Sequence, residues 1–264
     1  MKLLSIGNSF STDSHRFLHS IAEQNGVNLE CYNLFIGGCS LETHWLNYDG
    51  NNAFYDLEIN GNEASGKISI GEALSMEKWD IITVQQASAL SGVFESYLPF
   101  LIDLAKVIKE NVPTAKIYFH ETWSYEIDSL HEGFLNYNSN QKEMYLCIKE
   151  SSKKASDLIN AEIIPTGDIV QFVRENIPEI DYENGGLSLC RDGFHLSEDY
   201  GRFLAGAVWF KKLTGKNLKN KISINLYIVT LLKYLKLFYL KFANAQIFSY
   251  LCPRIYAGRV CPAK

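Results

Sequence analysis

Two short stretches near opposite ends of the chain hold the residue types that acyl-transfer chemistry needs. The first is Gly7-Asn8-Ser9-Phe10-Ser11, directly after the apolar run Leu3-Leu4-Ser5-Ile6. A serine at a strand-to-helix turn can point into a crevice, and its N–H lies at a helix N-terminus, where the dipole favours negative charge. The second is Arg191-Asp192-Gly193-Phe194-His195-Leu196-Ser197. Asp192 and His195 stand three apart, so a carboxylate can hold the imidazole Nδ1–H and leave Nε2 facing a nucleophile. Gly193 between them permits the sharp turn this needs. Taken singly, each stretch is better explained by ordinary capping and turn chemistry.

Taken together, they resemble the SGNH (GDSL-type) hydrolase superfamily, in which an early serine is the nucleophile and a late Asp-x-x-His supplies the base and its orienter. The resemblance implies Ser9 as nucleophile, His195 as base and Asp192 as orienter. Asn8 stands where the family usually has Asp. The family's second motif is a glycine after the second strand that lends its N–H to the oxyanion hole. In Asn33-Leu34-Phe35-Ile36-Gly37-Gly38 the match is best with Gly38, and Gly37 is the alternative. The third motif departs: the family's Gly-x-Asn-Asp is replaced by Gln85-Gln86-Ala87-Ser88. A glutamine amide offers the same donors on a longer arm. Strand alternation sends the two glutamines to opposite sides, so only one can face the serine. Gln86 is the expected third donor, with Gln85 second, since the superfamily's donor lies past the strand rather than on its last rung. The Gln-Gln-x-Ser variant with Gly-Asn-Ser-Phe-Ser resembles a branch catalogued as a domain of unknown function, often found near carbohydrate-degradation systems. The resemblance covers about residues 1–215. It implies a serine ester hydrolase acting on a carbohydrate or similar small ester, with no cofactor and no metal. An O-acyltransferase on the same fold and a non-catalytic carbohydrate-binding protein are the alternatives.

These residues need elements to position them. Lys2–Ile6 reads as a strand, and Thr12 or Asp13 caps a helix running to about Gln24. Strands follow at Asn28–Phe35, Asp80–Val84, Lys116–His120 and Ala161–Ile164, with a hairpin over 54–70 turning at Asn60-Gly61-Asn62. Helical spacing marks Leu41–Leu46, Ser96–Asn111, 141–159, Gly167–Asn176 and Glu198–Leu213. Alternating strands and helices imply a mostly parallel sheet covered on both faces. With the resemblance, the expectation is a flavodoxin-like three-layer α/β/α fold with a mostly parallel five-stranded sheet. Ligands in such folds bind beyond the carboxyl ends of the strands. That places His120, Glu121, Trp123 and Tyr125 near the crevice, and Gln85, His120 and Trp123 are candidate substrate contacts beside their plainer reading as packing. Specificity is expected in the loops over 40–70 and 121–140.

The chain has 264 residues, 47% of them apolar and 21% charged, which excludes an intrinsically disordered chain. A net charge of −5 argues against a nucleic-acid partner. The charge is uneven: 218–264 holds eight Lys or Arg and no Asp or Glu, leaving 17 basic and 30 acidic residues in 1–217. This divides the chain into a hydrolase-like domain, 1–215, and a basic, apolar tail, 216–264. Lys233, Lys236 and Lys241 argue against a membrane span in the tail. Contact with a membrane surface, packing on the body, and a tail foreign to the family stay open. No signal peptide is visible, so the expected compartment is the cytoplasm as written, or secreted or periplasmic if a signal was removed. The six cysteines show no C-x-x-C spacing and read as mostly reduced. Cys39 has no evident histidine partner and reads as a packed residue. His15 and His19, four apart, read as a helix surface face rather than a metal pair.

Overall fold

The computed structural model describes residues 1–218; the expected tail lies outside the described residues from 219 on. The strands are β1 (Lys2–Gly7), β2 (Glu30–Phe35), β3 (Tyr55–Ile59), β4 (Asn62–Ile68), β5 (Ile81–Val84), β6 (Lys116–Glu121) and β7 (Glu162–Pro165). The helices are α1 (Ser9–His15), α2 (Leu18–Gln24), α3 (Leu41–Asp49), α4 (Ile70–Met76), α5 (Phe100–Asn111), α6 (Gln141–Ile159), α7 (Thr166–Asn176) and α8 (Tyr200–Thr214). One sheet runs in the order β4-β3-β2-β1-β5-β6-β7. Its five strands from β2 to β7 pair in parallel, as expected of a flavodoxin-like order. The hairpin β3–β4 extends it antiparallel at the β2 edge, taking the sheet from the expected five strands to seven.

Alternation along the strands separates the two covered faces. Leu4, Ile6, Leu34, Ile82, Val84 and Phe119 point to one side and pack against α3, α4, α5 and the end of α6. The buried stripe of α5, Leu101, Leu104, Ala105 and Ile108, belongs to this core, and each Leu or Ile in it contributes roughly 1.5–3 kcal/mol. The intervening residues Ser5, Asn33, Thr83 and His120 point the other way, and there the sheet carries a buried polar row. It is bonded internally: Ser5 Oγ lies 2.6 Å from Thr83 Oγ1 and 2.8 Å from His15 Nε2, and Asn33 donates to Glu58 at 2.7 Å. Helices α1, α2 and α8 pack together above it.

Three elements differ from expectation. The first helix is two, interrupted at Phe17, whose φ of −113° lies outside helical values and whose ring turns onto Phe203 of α8. The helix expected from Ser96 begins at Phe100, after Pro99. Helix α4 was not anticipated, although Ser69 and Glu72 form a capping box, a signal present in the sequence. Among the described residues no helix is long and apolar enough to cross a membrane.

Candidate active site

Helix α1 is capped by Asn8, not by Thr12 or Asp13. The Asn8 Oδ1 accepts from Phe10 N at 3.0 Å, and the Asn8 N–H donates to Ser11 Oγ at 3.0 Å. Ser9 is therefore the first helical residue, and its N–H is one of the donors a helix start leaves without an intrahelical acceptor. No other acceptor among the described residues takes it. The neighbouring Phe10 stacks on Trp123 with ring centroids 4.1 Å apart.

The histidine segment folds back on itself. Arg191 N donates to His195 O at 2.9 Å and Ser197 N to Leu189 O at 2.8 Å. At its tip Gly193 has a φ of +85°, and a Cβ there would come 3.0 Å from Ser129 Cα. The turn lets Asp192 Oδ1 accept the N–H groups of Phe194 (3.2 Å) and His195 (2.7 Å), while Oδ2 lies 2.7 Å from His195 Nδ1. His195 Nε2 lies 2.8 Å from Ser9 Oγ. Partial burial pushes the Asp192 carboxyl up, but its bonds from the His195 ring and the two N–H groups outweigh this and hold it below its ordinary value. With Oδ2 charged, Nδ1 carries the proton and Nε2 is free to accept from Ser9.

Two contacts dock this segment on the rest of the site. Trp123 Nε1 donates to Phe194 O at 2.8 Å, so Trp123 touches the residue after Ser9 and the residue before His195. Asp13, one turn after Ser9 and fully buried, accepts from Leu196 N at 2.8 Å, Arg202 Nε at 2.7 Å and Arg191 Nη1 at 3.2 Å. The residue that resembled a helix cap is thus a clamp between the Ser9 helix and the His195 segment. Neither Trp123 nor Asp13 was read in this role from sequence.

After β2 the chain turns at Ile36–Cys39, closed by Cys39 N donating to Ile36 O at 3.2 Å. Gly38 sits in it at φ +65°, a conformation that favours glycine. The Gly38 N–H, like that of Ser9, has no acceptor among the described residues. Asn8 Nδ2 donates to Cys39 O at 3.0 Å, tying the turn to the start of α1. Asn8 here uses both ends of its amide, which the family's usual Asp cannot do.

The expected third donor is corrected. Gln86 Nε2 donates to Ser96 O and Oγ at 3.1 and 3.0 Å, and its Oε1 accepts from Leu41 and Ala87 N–H groups. Its amide is spent on holding loops together. Gln85, the second choice, donates from Nε2 to Asn8 Oδ1 at 2.7 Å, and its Oε1 lies 2.7 Å from His120 Nδ1. Gln85, His120 and Trp123 were also candidate substrate contacts. They are 2%, 0% and 0% exposed; the Gln85 amide, Trp123 Nε1 and His120 Nδ1 are bonded to protein partners, and His120 Nε2 is buried with no hydrogen-bond partner among the described residues, so this expectation is corrected too.

Other expectations resolve differently. Cys39 does have a histidine neighbour, His44, whose Nδ1 lies 3.4 Å from Sγ and 2.9 Å from the Tyr55 hydroxyl. Burial pushes the thiol up to about 12 and the imidazole down to about 3, so the pair is neutral and the thiol is a poor nucleophile. His15 and His19 face different partners, Ser5 and the Leu29 carbonyl, and His15 is buried rather than on a surface face. Among the described residues no group of three or more His, Cys, Asp or Glu is placed to hold a metal ion. Glu121 is buried and accepts from Asp168 N at 2.7 Å.

A family model described as a domain of unknown function, DUF4886, matches residues 2–226. The chain belongs to the DUF4886 family. Among solved structures, this DUF4886 chain is similar to a DUF4886 family protein from Bacteroides uniformis, with 37% identity and a TM-score of 0.77 over 85% of this chain and 86% of that one. A candidate SGNH hydrolase from Slackia heliotrinireducens matches with 20% identity and a TM-score of 0.56, over 81% of this chain and 98% of its own. A catalytic mutant of an acetylxylan esterase from Geobacillus stearothermophilus matches with 11% identity and a TM-score of 0.52, over 83% and 96%. The DUF4886 chain therefore has the SGNH hydrolase fold. No curated protein matches it.

Proposed function

We propose that this DUF4886 protein is a serine ester hydrolase that removes acetyl or other short acyl groups from a carbohydrate or similar small ester. The observation that carries the reading is the unbroken line from Asp192 Oδ2 through the His195 ring to Ser9 Oγ, at 2.7 and 2.8 Å. The Ser9 and Gly38 N–H groups, whose helix and turn are joined through Asn8, have no acceptor among the described residues and supply the donors this reading needs. The acetylxylan esterase with this fold supports acetyl as the acyl group. The side chains of His195 and Asp192 are 20% and 41% exposed, so water reaches the base, which favours hydrolysis over acyl transfer to a sugar.

In this mechanism His195 Nε2 takes the Ser9 proton as Oγ attacks the ester carbonyl carbon. The carbonyl oxygen becomes an oxyanion and accepts from the N–H groups of Ser9 and Gly38; removing one such donor costs about 3–4 kcal/mol of transition-state stabilisation. The ester C–O bond breaks, the leaving alcohol takes the proton from Nε2, and an acyl group remains on Ser9. Water then gives its proton to Nε2 and attacks the acyl carbon, and the acid leaves as Ser9 regains its proton.

The test is turnover of an acetyl chromogenic ester, followed by a panel of acetylated glycans. Wild-type protein should hydrolyse the ester, and a fluorophosphonate should label Ser9. Ser9→Ala and His195→Ala should each lower kcat by about 10⁴-fold or more, since such residues act as a unit. Undiminished turnover in Ser9→Ala, or labelling at another serine, overturns the assignment.

A further inference from the structure

The hydrogen bonds behind Ser9 have only one consistent direction. The Phe10 backbone N–H can only donate, so the Asn8 atom it meets at 3.0 Å is the oxygen. The Gln85 atom 2.7 Å from that same oxygen must then be the amide nitrogen. The other Gln85 atom is therefore oxygen, and it can bond His120 Nδ1, 2.7 Å away, only if that nitrogen carries the proton. The remaining end of Asn8 is its amide nitrogen, which donates to Cys39 O at 3.0 Å. The result is a one-way chain, His120 to Gln85 to Asn8 to the Cys39 carbonyl. All three side chains in it are 2% exposed or less. Its far end is fixed by packing, with the His120 ring edge-on to Trp209 at a centroid distance of 4.8 Å.

Asn8 is the residue where the two backbone donors meet. It caps the helix that begins with Ser9 and holds the turn that contains Gly38. Without the Gln85 donor that follows β5, Asn8 Oδ1 is left with the Phe10 N–H alone, and only the Nδ2 bond to the Cys39 carbonyl holds the other end of the amide. We infer that Gln85, oriented by His120, is a positioning residue that fixes the Asn8 amide and so the spacing of the Ser9 and Gly38 N–H groups around the oxyanion. This rests on the ester-hydrolase reading above. Gln85 touches neither substrate nor the reacting atoms in this role. Its effect belongs to the transition state, because the hole tightens on an oxyanion rather than on a neutral carbonyl.

The test compares Gln85→Ala, Gln85→Glu, His120→Leu and His120→Asn with wild type on p-nitrophenyl acetate, with thermal melting of each variant. Gln85→Ala should lower kcat by about 10- to 100-fold with KM within about twofold, the size expected from a displacement of about 1 Å. His120→Leu should lose a similar factor, and His120→Asn, whose amide N–H can stand near the place of Nδ1–H, should recover most of it. Gln85→Glu donates to Asn8 only when protonated, so its kcat relative to wild type should rise as the pH is lowered. A residue that merely fills space would give no such pH dependence. Independently of activity, ¹⁵N resonances of wild-type His120 should report the Nδ1–H tautomer. The proposal is overturned if Gln85→Ala keeps its kcat in an active wild-type background, if Gln85→Glu follows the wild-type pH profile, or if His120 is protonated at Nε2. If Gln85→Ala does not fold, the Gln85→Glu profile and the tautomer decide. Wild type that neither turns over acetyl esters nor takes up fluorophosphonate overturns the hydrolase reading and this proposal with it, an outcome distinct from failure of the variants alone.

Discussion

Asp13→Asn replaces one carboxylate oxygen by an NH₂ group at the contact between the Ser9 helix and the His195 segment. The carboxylate receives the Leu196 N–H and donors from two guanidinium groups, and it is 1% exposed on its side chain. Asparagine has nearly the same shape, but one of its two atoms is a donor. That NH₂ group must face Leu196 N–H or an arginine, so at least one bond becomes a repulsion. The charge that balances Arg191 and Arg202 is also lost. Removing one partner of a fully buried pair costs about 3–5 kcal/mol. Here Arg191 and Arg202 keep 29% and 13% of their side chains in solvent and both also meet Glu198, so screening lowers the expected cost to about 2–3 kcal/mol. For a domain of this size that is a drop in Tm of roughly 4–12 °C.

The effect on rate is separable from the effect on stability. Leu196 follows His195 directly, so loosening the Leu196 N–H frees the backbone that aims Nε2 at Ser9. A displacement of about 1 Å at the reacting atoms costs about 100-fold. Melting by circular dichroism and hydrolysis of an acetyl chromogenic ester, measured on one preparation well below its Tm, give both numbers. A lower Tm with wild-type kcat would mean that the hairpin over 189–197 and the Trp123 contact hold His195 without Asp13. An unchanged Tm would refute the energetic reasoning altogether.

Three further outcomes are expected. Gly38→Ala meets no steric obstacle, since a Cβ there has nothing within 4 Å, but it must adopt a φ of +65° at a cost of about 1–2 kcal/mol, so kcat should fall with little change in KM; an unchanged kcat would remove this turn from the oxyanion hole. Asp192→Asn should lower kcat by about 10²- to 10⁴-fold, less than His195→Ala, because a neutral amide can favour the wrong imidazole tautomer while the backbone bonds that shape the loop persist. Burial, and then the charge of Asp168, raise the Glu121 carboxyl to about 8, so the folded chain holds a proton that the unfolded chain releases above the ordinary carboxylate range. This group's contribution is then full at low pH and is lost as pH rises through about 8, and Glu121→Gln should raise Tm at about pH 8.5 while leaving it nearly unchanged at about pH 5.

What could be read from sequence was chemistry that closes on itself locally. Asp192, Gly193 and His195 need only each other and two neighbouring N–H groups to form their turn, so the spacing carries the geometry. Ser9 needs only the end of β1 and a helix start. The parallel strands were legible for the same reason, as apolar runs bounded by turns. The capping of α1 was not: Thr12 and Asp13 have good cap chemistry, but Asn8 holds the Phe10 N–H, and Asp13 is drawn into the interior by two arginines far along the chain. Cys39 and His44 were missed as a pair because the helix between them, not their separation, brings Nδ1 to Sγ.

The glutamines show where this kind of reading ends. Alternation correctly separates Gln85 from Gln86, yet it cannot say what each side chain meets. An amide carries two donors and an acceptor, and its destination is decided by whichever buried groups lack partners. For Gln86 those are the Leu41 and Ala87 N–H groups and the Ser96 carbonyl; for Gln85 they are Asn8 and His120. Each demand comes from a loop whose position depends on the folded sheet. A Gln-Gln pair where the SGNH pattern has an asparagine therefore does more than lengthen the donor's arm. It supplies one amide that holds the loops at Leu41, Ala87 and Ser96 and another that bonds Asn8. On the proposed ester-hydrolase reading the oxyanion has two backbone N–H groups to meet it, and a hole built from backbone depends on whatever holds the backbone still. That makes Asn8, which joins the Ser9 helix to the Gly38 turn, the residue on which the geometry turns, and it accounts for an amide at a position where the family's carboxylate would set its lone pairs against the Cys39 carbonyl.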